Sequence, residues 1–423
     1  MPVAFAGFPL YVLAPDYYAT QFGLSLSALG FILLGLRIFD AVQDPIIGMM
    51  SDHFLRASAW FMPLSAVILC ASIYALFNHE PASPALWFAL CMSLAVSAYS
   101  ILSINLNALG ALWTKDKNAQ TRIATFREGF GLVGLVIAVS TPGILSHFFG
   151  KEHAFLWFSV ILIVLMTFAL FSFRGWQAAH ILKGENDDNS PSSLRKTIYT
   201  MRGETKKLFT IYAVSMLASS IPAILVLFFT RDLLGAESYT GVFLLLYFCS
   251  GAFGMPLWNR LSARYGKSRS WFASILLAVA SFFWAFFLES GDIWQYGIIC
   301  ILSGFALGAD LTLPPSILAD HLHHNKLKHY AATYYSFLAL ISKASLALAS
   351  VSVLSLLEGA GFMPAKLNDE SALMALSLSY AVLPCLLKVS AGFMLYRFFI
   401  HPNQGGHHEN NHLNSTYRSS YHV

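Results

Sequence analysis

The sequence predicts an all-α membrane protein of twelve transmembrane helices arranged as two bundles of six. Three observations predict it. Only 11% of the 423 residues are charged and 57% are apolar, against roughly 25% charged in an ordinary soluble domain. The apolar residues gather into runs of about the 20 residues that a helix needs to cross a bilayer core. One long polar stretch near the middle of the chain divides those runs six and six.

The first run, residues 3–18, begins almost at Met1 without a charged leading region or a small-residue cleavage site, so it reads as a retained crossing. The second, 29–50, is apolar apart from one charged face. Runs 60–77 and 85–113 are uncharged, 124–148 carries Arg127 and Glu128, and 154–173 is again uncharged. In the second half, 208–230 and 271–288 are uncharged, and 240–261 meets Arg260 only near its end. Runs 294–318, 330–357 and 373–400 carry Asp310, Lys343 and Lys388 in their interiors. The domains are therefore 1–173 and 208–400, joined by a linker over 174–207 that contains GENDDNSPSS. A tail over 401–423 lacks apolar periodicity and reads as disordered.

Charge placement orients the chain. Nineteen of the 26 Lys and Arg residues lie in the even-numbered connections and the tail, whereas the opposite side has only Lys151, Arg231 and Lys366. Positive charge is retained on the cytoplasmic side, so both termini are expected there, in a bacterial inner membrane. The net charge of +4 is too small to argue for a nucleic-acid partner. Five cysteines scattered through apolar runs, with no CxxC, offer neither a disulfide framework nor a zinc site. His321, His323, His324 and His329, placed in the loop after run ten, match no compact ligand set, so no metal or other cofactor is expected. An embedded transferase would need nucleophiles or acid–base pairs near a membrane face, and the chain offers none, so it reads as a non-enzyme.

Eight ionisable groups lie at membrane depth: Arg37, Asp40, Asp44, Arg127, Glu128, Asp310, Lys343 and Lys388. Unpaired, they would cost roughly 20–28 kcal/mol at about 2.5–3.5 kcal/mol each, more than the net stability of most proteins. They must pair or face an aqueous cavity. Arg37, Asp40 and Asp44 are spaced i, i+3 and i+7, which places them on one helix face. Two carboxylates one turn apart, with Gln43 alongside, suit a small hard cation or a proton; the other reading makes Arg37 a simple ion-pair brace. Lys343 is a natural partner for Asp40 or Asp44, or alternatively for Asp310. Arg127 and Glu128 are adjacent and should point about 100° apart, with Arg127 in the cavity. Lys388 reads as structural or snorkelling. Pro314 and Pro315 should interrupt run ten near Asp310.

These residues carry a resemblance. Gly48, Asp52 and Arg56 in GMMSDHFLR look like the loop signature of the major facilitator superfamily, with His53 in place of the usual Arg. RIFDAVQDPIIGMMSD resembles the second helix of its glycoside-pentoside-hexuronide:cation symporters, the melibiose-permease-like branch. PLWNRLSARYGK, LPPSILAD, Lys343 in SFLALISKAS and Arg127 in TFREGFG agree with that family too. The resemblance implies two six-helix bundles around a central cavity and alternating access. It also implies symport of a small organic solute, such as a sugar or glycoside, with H⁺ or Na⁺. Asp40, Asp44, Gln43 and Ser100 would hold the cation, while Lys343, Arg37 and Asp310 would form the coupling charge pairs. Arg127, Ser103 and Asn105 would meet the substrate, the last two standing where the family has an acidic residue. Gly48, Asp52 and Arg56 would form a gating loop. The remaining readings on the same fold are a proton-driven exporter and a lysolipid carrier. The expected partners are the solute, the coupling cation and the bilayer, with the protein working as a monomer.

Overall fold

The computed structural model describes residues 1–8, 10, 13–24, 26–53, 58–112, 116–180, 203–325, 327–363 and 366–401. Its helices are α1 (Pro2–Phe8), α2 (Ala14–Gln21), α3 (Leu26–His53), α4 (Ser58–Asn78), α5 (Pro84–Leu112), α6 (Lys117–Phe149) and α7 (Lys151–His180). The second half has α8 (Glu204–Phe228), α9 (Thr240–Tyr265), α10 (Lys267–Trp284), α11 (Ile293–His324), α12 (Ala331–Gly359), α13 (Glu370–Ser377) and α14 (Leu383–Leu395). A π-helical turn over Leu378–Val382 joins the last two. Among the described residues, ten helical stretches are long and apolar enough to cross a bilayer. At about 1.5 Å per residue the 28-residue α3 is also long enough. The expected twelve is reached by taking α1 and α2 as one crossing: Leu10 and Leu13 between them are π-helical, and α2 has Pro15 in its first turn.

Two expectations about boundaries change. Residues 174–180 continue α7 and 204–207 begin α8, so both ends of the expected linker are helical, and its centre (181–202) lies outside the described residues. Pro314 and Pro315 do not interrupt their run: α11 passes through both as a 32-residue helix. Each proline removes one donor and leaves the carbonyl four residues back, that of Asp310 or Leu311, without its helical partner, which a transmembrane helix packed among neighbours tolerates. Just beyond the pair the Tyr335 hydroxyl donates to the Pro315 carbonyl at 2.7 Å and Lys267 Nζ to that of Ser316 at 3.2 Å, holding this stretch against α12 and α10. The same helix carries His321, His323 and His324, which therefore lie in its last turn and not in a loop. His321 bonds Thr205 Oγ1 at 2.6 Å and His323 Nε2 lies 2.7 Å from the Ala111 carbonyl.

Each half has its own apolar core. One is built on Phe5, Tyr18, Leu69, Phe88 and Phe158, the other on Phe229, Tyr296, Leu376 and Tyr380. A third bridges them, joining Ile47, Ile104, Ala108 and Ala111 of the first half to Leu318, Ala331, Tyr334 and Leu338 of the second. Its members flank the Lys- and Arg-rich connections, so the halves are packed together at the basic end. Large apolar side chains such as Phe171 and Phe253 point outward, the surface expected where the surrounding solvent is hydrocarbon.

Candidate functional site

α3 and α12 cross at Gly48, because only glycine lets the backbones approach so closely: an added Cβ would lie 2.8 Å from the Cα of Thr333. From that crossing α3 carries Asp44 and Asp40 away from the basic end by four and eight residues, about 6 and 12 Å. α12 carries Lys343 the same way by seven residues from Ser336, about 10 Å. Helix side chains lean toward the N-terminus, which on α12 is the basic end, so Lys343 reaches back between the two carboxylates. Its Nζ lies 2.7 Å from both Asp40 Oδ2 and Asp44 Oδ2, and it donates to Ser100 Oγ at 2.9 Å. Lys343 thus ties the two halves at mid-depth.

The cluster holds two carboxylates and one ammonium, and it is deeply placed: the side chains of Asp44 and Asp40 are 0% and 8% exposed. Asp40 Oδ1 accepts from Ser100 Oγ at 3.0 Å and from Gln43 Nε2 at 2.9 Å, and the Gln43 carbonyl oxygen accepts from Ser97 at 2.8 Å. Asp44 Oδ1 is buried without a hydrogen-bond partner. An excess negative charge beside an unpartnered carboxylate oxygen is a place for one monovalent cation or proton. Ser97, one turn from Ser100 on α5, joins the network although its sequence gave no sign beyond that spacing. Gln43 turns its amide nitrogen to Asp40, so it steers the carboxylate and does not present it with an oxygen.

Other expected partners are placed differently. Arg37 is exposed and has no ion-pair partner among the described residues; Lys343 takes the bracing position because it comes from a facing helix. Asp310 does not meet Lys343. It receives Lys388 Nζ at 2.5 Å and the Trp271 indole N–H at 2.8 Å, while Lys388 also donates to Ser215 Oγ at 2.9 Å. Lys388 is therefore a buried ion-pair member inside the second half and does not snorkel, since α8, α10, α11 and α14 enclose it. Every polar atom of that pair is engaged. It borders a cavity of about 180 Å³ lined also by Tyr247, Tyr296 and Tyr380.

Arg127 and Glu128 do not diverge. The guanidinium folds back to Glu128 Oε1 at 2.8 and 2.9 Å, with the side chain packed near Gly110 of α5. Asn105 is buried and its amide nitrogen donates to Ser51 Oγ at 2.9 Å and to the Ile101 carbonyl at 2.8 Å, which fastens α5 to α3. Ser103 is half-buried one turn from Ser100. Asp52 caps α12 from outside: its carboxylate accepts the backbone N–H groups of Ala332 and Thr333 at 2.8 Å each and the Thr333 hydroxyl at 2.5 Å. These are the orphan donors of a helix N-terminus, where negative charge is favoured. Thr121 with Ser316 at 2.8 Å and His323 with Ala111 add contacts between the halves at the same end. Arg56 lies outside the described residues.

Comparison with known proteins fits a transporter of this architecture. An uncharacterized symporter of Synechocystis sp. is 21% identical, covering 89% of this chain and 88% of its own. A glucuronide carrier protein homolog of Escherichia coli is 22% identical, covering 94% and 88%. The crystal structure of the E. coli fucose:proton symporter superposes with a TM-score of 0.66 at 12% identity, covering 93% of this chain and 97% of that one, a likeness of fold. The sequence model of the MFS/sugar transport proteins matches residues 1–401, and the chain belongs to that family.

Proposed function

We propose that this cation-coupled symporter carries one monovalent cation, H⁺ or Na⁺, on Asp40 and Asp44 and uses it to import a small polyhydroxylated solute such as a sugar or glycoside. The observation that carries the reading is the buried cluster in which two carboxylates share a single ammonium and Asp44 Oδ1 has no partner. A cation entering that cluster neutralises its excess charge and competes with Lys343 for the same two carboxylates. Lys343 is the mid-depth tie between α3 and α12, so its release loosens the halves at that level. The Gly48 crossing and the Asp52 cap then part, and the cavity opens at the basic end. The basic loops are taken to face the cytoplasm, which makes the contacts at that end an inner gate. Support for a sugar-like cargo comes from the family and from the glucuronide carrier protein homolog among its relatives.

The test is uptake by vesicles reconstituted with the protein. They are presented in turn with sugars, glycosides, sugar acids and lysolipids under an imposed Na⁺ or pH gradient. Accumulation of one solute class that collapses when the gradient is dissipated is expected. Gradient-driven accumulation of lysolipids alone, or no response to either gradient, would overturn the reading.

A further inference from the structure

We propose that the seam between α6 and α9 binds one anionic phospholipid from the leaflet on the basic side, with its acyl chain in a lateral groove and its phosphate on Arg122 and Arg260. The groove has a volume of about 570 Å³ and one wall from each half: Phe126, Phe130 and Val133 on α6, and Phe248 and Phe253 on α9. These side chains stand open; Phe130 is 56% and Phe253 83% exposed. The lining on α6 runs from Arg122 to Ile137 at helical spacing, fifteen residues or about 22 Å. That exceeds half of a hydrocarbon core about 30 Å thick, so the groove accepts a chain from one leaflet along its length.

The opening follows from where the glycines sit. α9 is drawn onto α11: an added Cβ on Gly254 would lie 2.8 Å from the Phe305 ring, and one on Gly308 would lie 2.6 Å from the Gly251 carbonyl oxygen. Toward α6 the contact is looser, since a Cβ on Gly129 would meet only Met255 Sδ, at 3.8 Å. Gly129 thus leaves a shallow floor while the phenylalanines form the sides.

Charge selects the occupant. Arg122, near the start of α6, and Arg260, near the end of α9, line the same end of the groove. Both are exposed, and neither has an ion-pair partner among the described residues. Two guanidinium groups at headgroup depth above an apolar slot match a phosphodiester of net negative charge, for which arginine provides paired donors. Because each half supplies one wall, the bound lipid sets the width of the seam on which the halves move.

The experiment places a fluorophore in the groove by Phe130→Trp and measures its quenching by brominated phosphatidylglycerol or brominated phosphatidylcholine. Each is diluted into the same zwitterionic bilayer, and the signal of the protein without the substitution is subtracted. The anionic lipid should be preferred roughly thirtyfold, the selectivity expected of two interfacial arginines. Arg122→Gln with Arg260→Gln should bring the ratio close to one, whereas R122K with R260K should keep most of it. Equal quenching by the two lipids, or a preference that survives the double glutamine variant, would overturn the proposal. The second result would assign the preference to the basic loops.

Discussion

Asp44→Asn tests the proposed cation site most directly, because the structure separates its effect on coupling from its effect on folding. The substitution preserves shape and takes the cluster from two carboxylates against one ammonium to one against one. Lys343 keeps Asp40 at 2.7 Å and Ser100 at 2.9 Å; its 2.7 Å ion pair with Asp44 Oδ2 becomes a hydrogen bond to the Asn oxygen, while the buried Asp44 Oδ1 had no hydrogen bond to lose. Melting should therefore change little. Cation affinity should change much more: a unit charge about 4 Å away is worth about 4 kcal/mol at an effective dielectric near 20, and charge-assisted contacts measure about 1.5–3 kcal/mol. Taking about 2 kcal/mol, binding weakens roughly thirtyfold. One cation crossing 100 mV supplies about 2.3 kcal/mol, enough to concentrate a neutral solute about fiftyfold. In reconstituted vesicles the Asn variant should bring its solute only to equal concentrations inside and out, while exchange of labelled for unlabelled solute without a gradient continues. Accumulation at the level of the unaltered protein would refute the assignment of the cation to Asp44.

Three further outcomes follow from the same geometry. Lys388→Ala leaves the Asp310 carboxylate buried against Trp271 without its ammonium, so stability should fall by about 3–5 kcal/mol. Pairing it with Asp310→Asn should recover most of that loss in thermal unfolding, and an unaltered melting curve for the single variant would contradict the pairing. Gly48→Leu drives a side chain into Thr333 and Ser336, so α3 and α12 must separate at the basic end. A cysteine at Ala332, where the native side chain is 2% exposed, should then alkylate faster than in the parent, and unchanged labelling would count against the tight crossing. Asp52 lies just beyond the apolar span, and burial pushes its pKa up to about 7 against the hydrogen bonds from Thr333 and Ala332, which pull it down. The closed contact thus holds a proton that the parted state, near the ordinary value of 3.8, releases. Closure should strengthen as the pH falls through about 7 and weaken as it rises. Spin-label distances across the basic end should report that trend and show it flattened in Asp52→Asn.

Much of the architecture could be read from one dimension, since a bilayer imposes a length and a polarity on every crossing. Helix ends were less legible. Apolar runs mark hydrocarbon thickness, but α6, α7 and α11 extend past it because nothing in water stops a helix of favourable residues from continuing. Pro314 and Pro315 misled for a related reason: whether a proline breaks a helix depends on the packing around it, here the neighbouring side chains Lys267 and Tyr335 that hold the stretch just beyond the pair.

The charges divide the same way. Their depth and number are properties of the chain, and that alone required pairing, singled out Asp40 and Asp44, and set Lys343 against them. Partner choice is a property of space. Lys388 and Asp310 are 78 residues apart and meet because four helices of one half close around them. Arg127 turns to its neighbour Glu128 through side-chain torsions that periodicity does not describe. Arg37 shares a helix with Asp40 and Asp44 yet is exposed, because Lys343 from the facing helix takes both carboxylates. Hydrophobic spacing constrains which groups share a helix face, whereas the packing of one helix on another decides which faces meet.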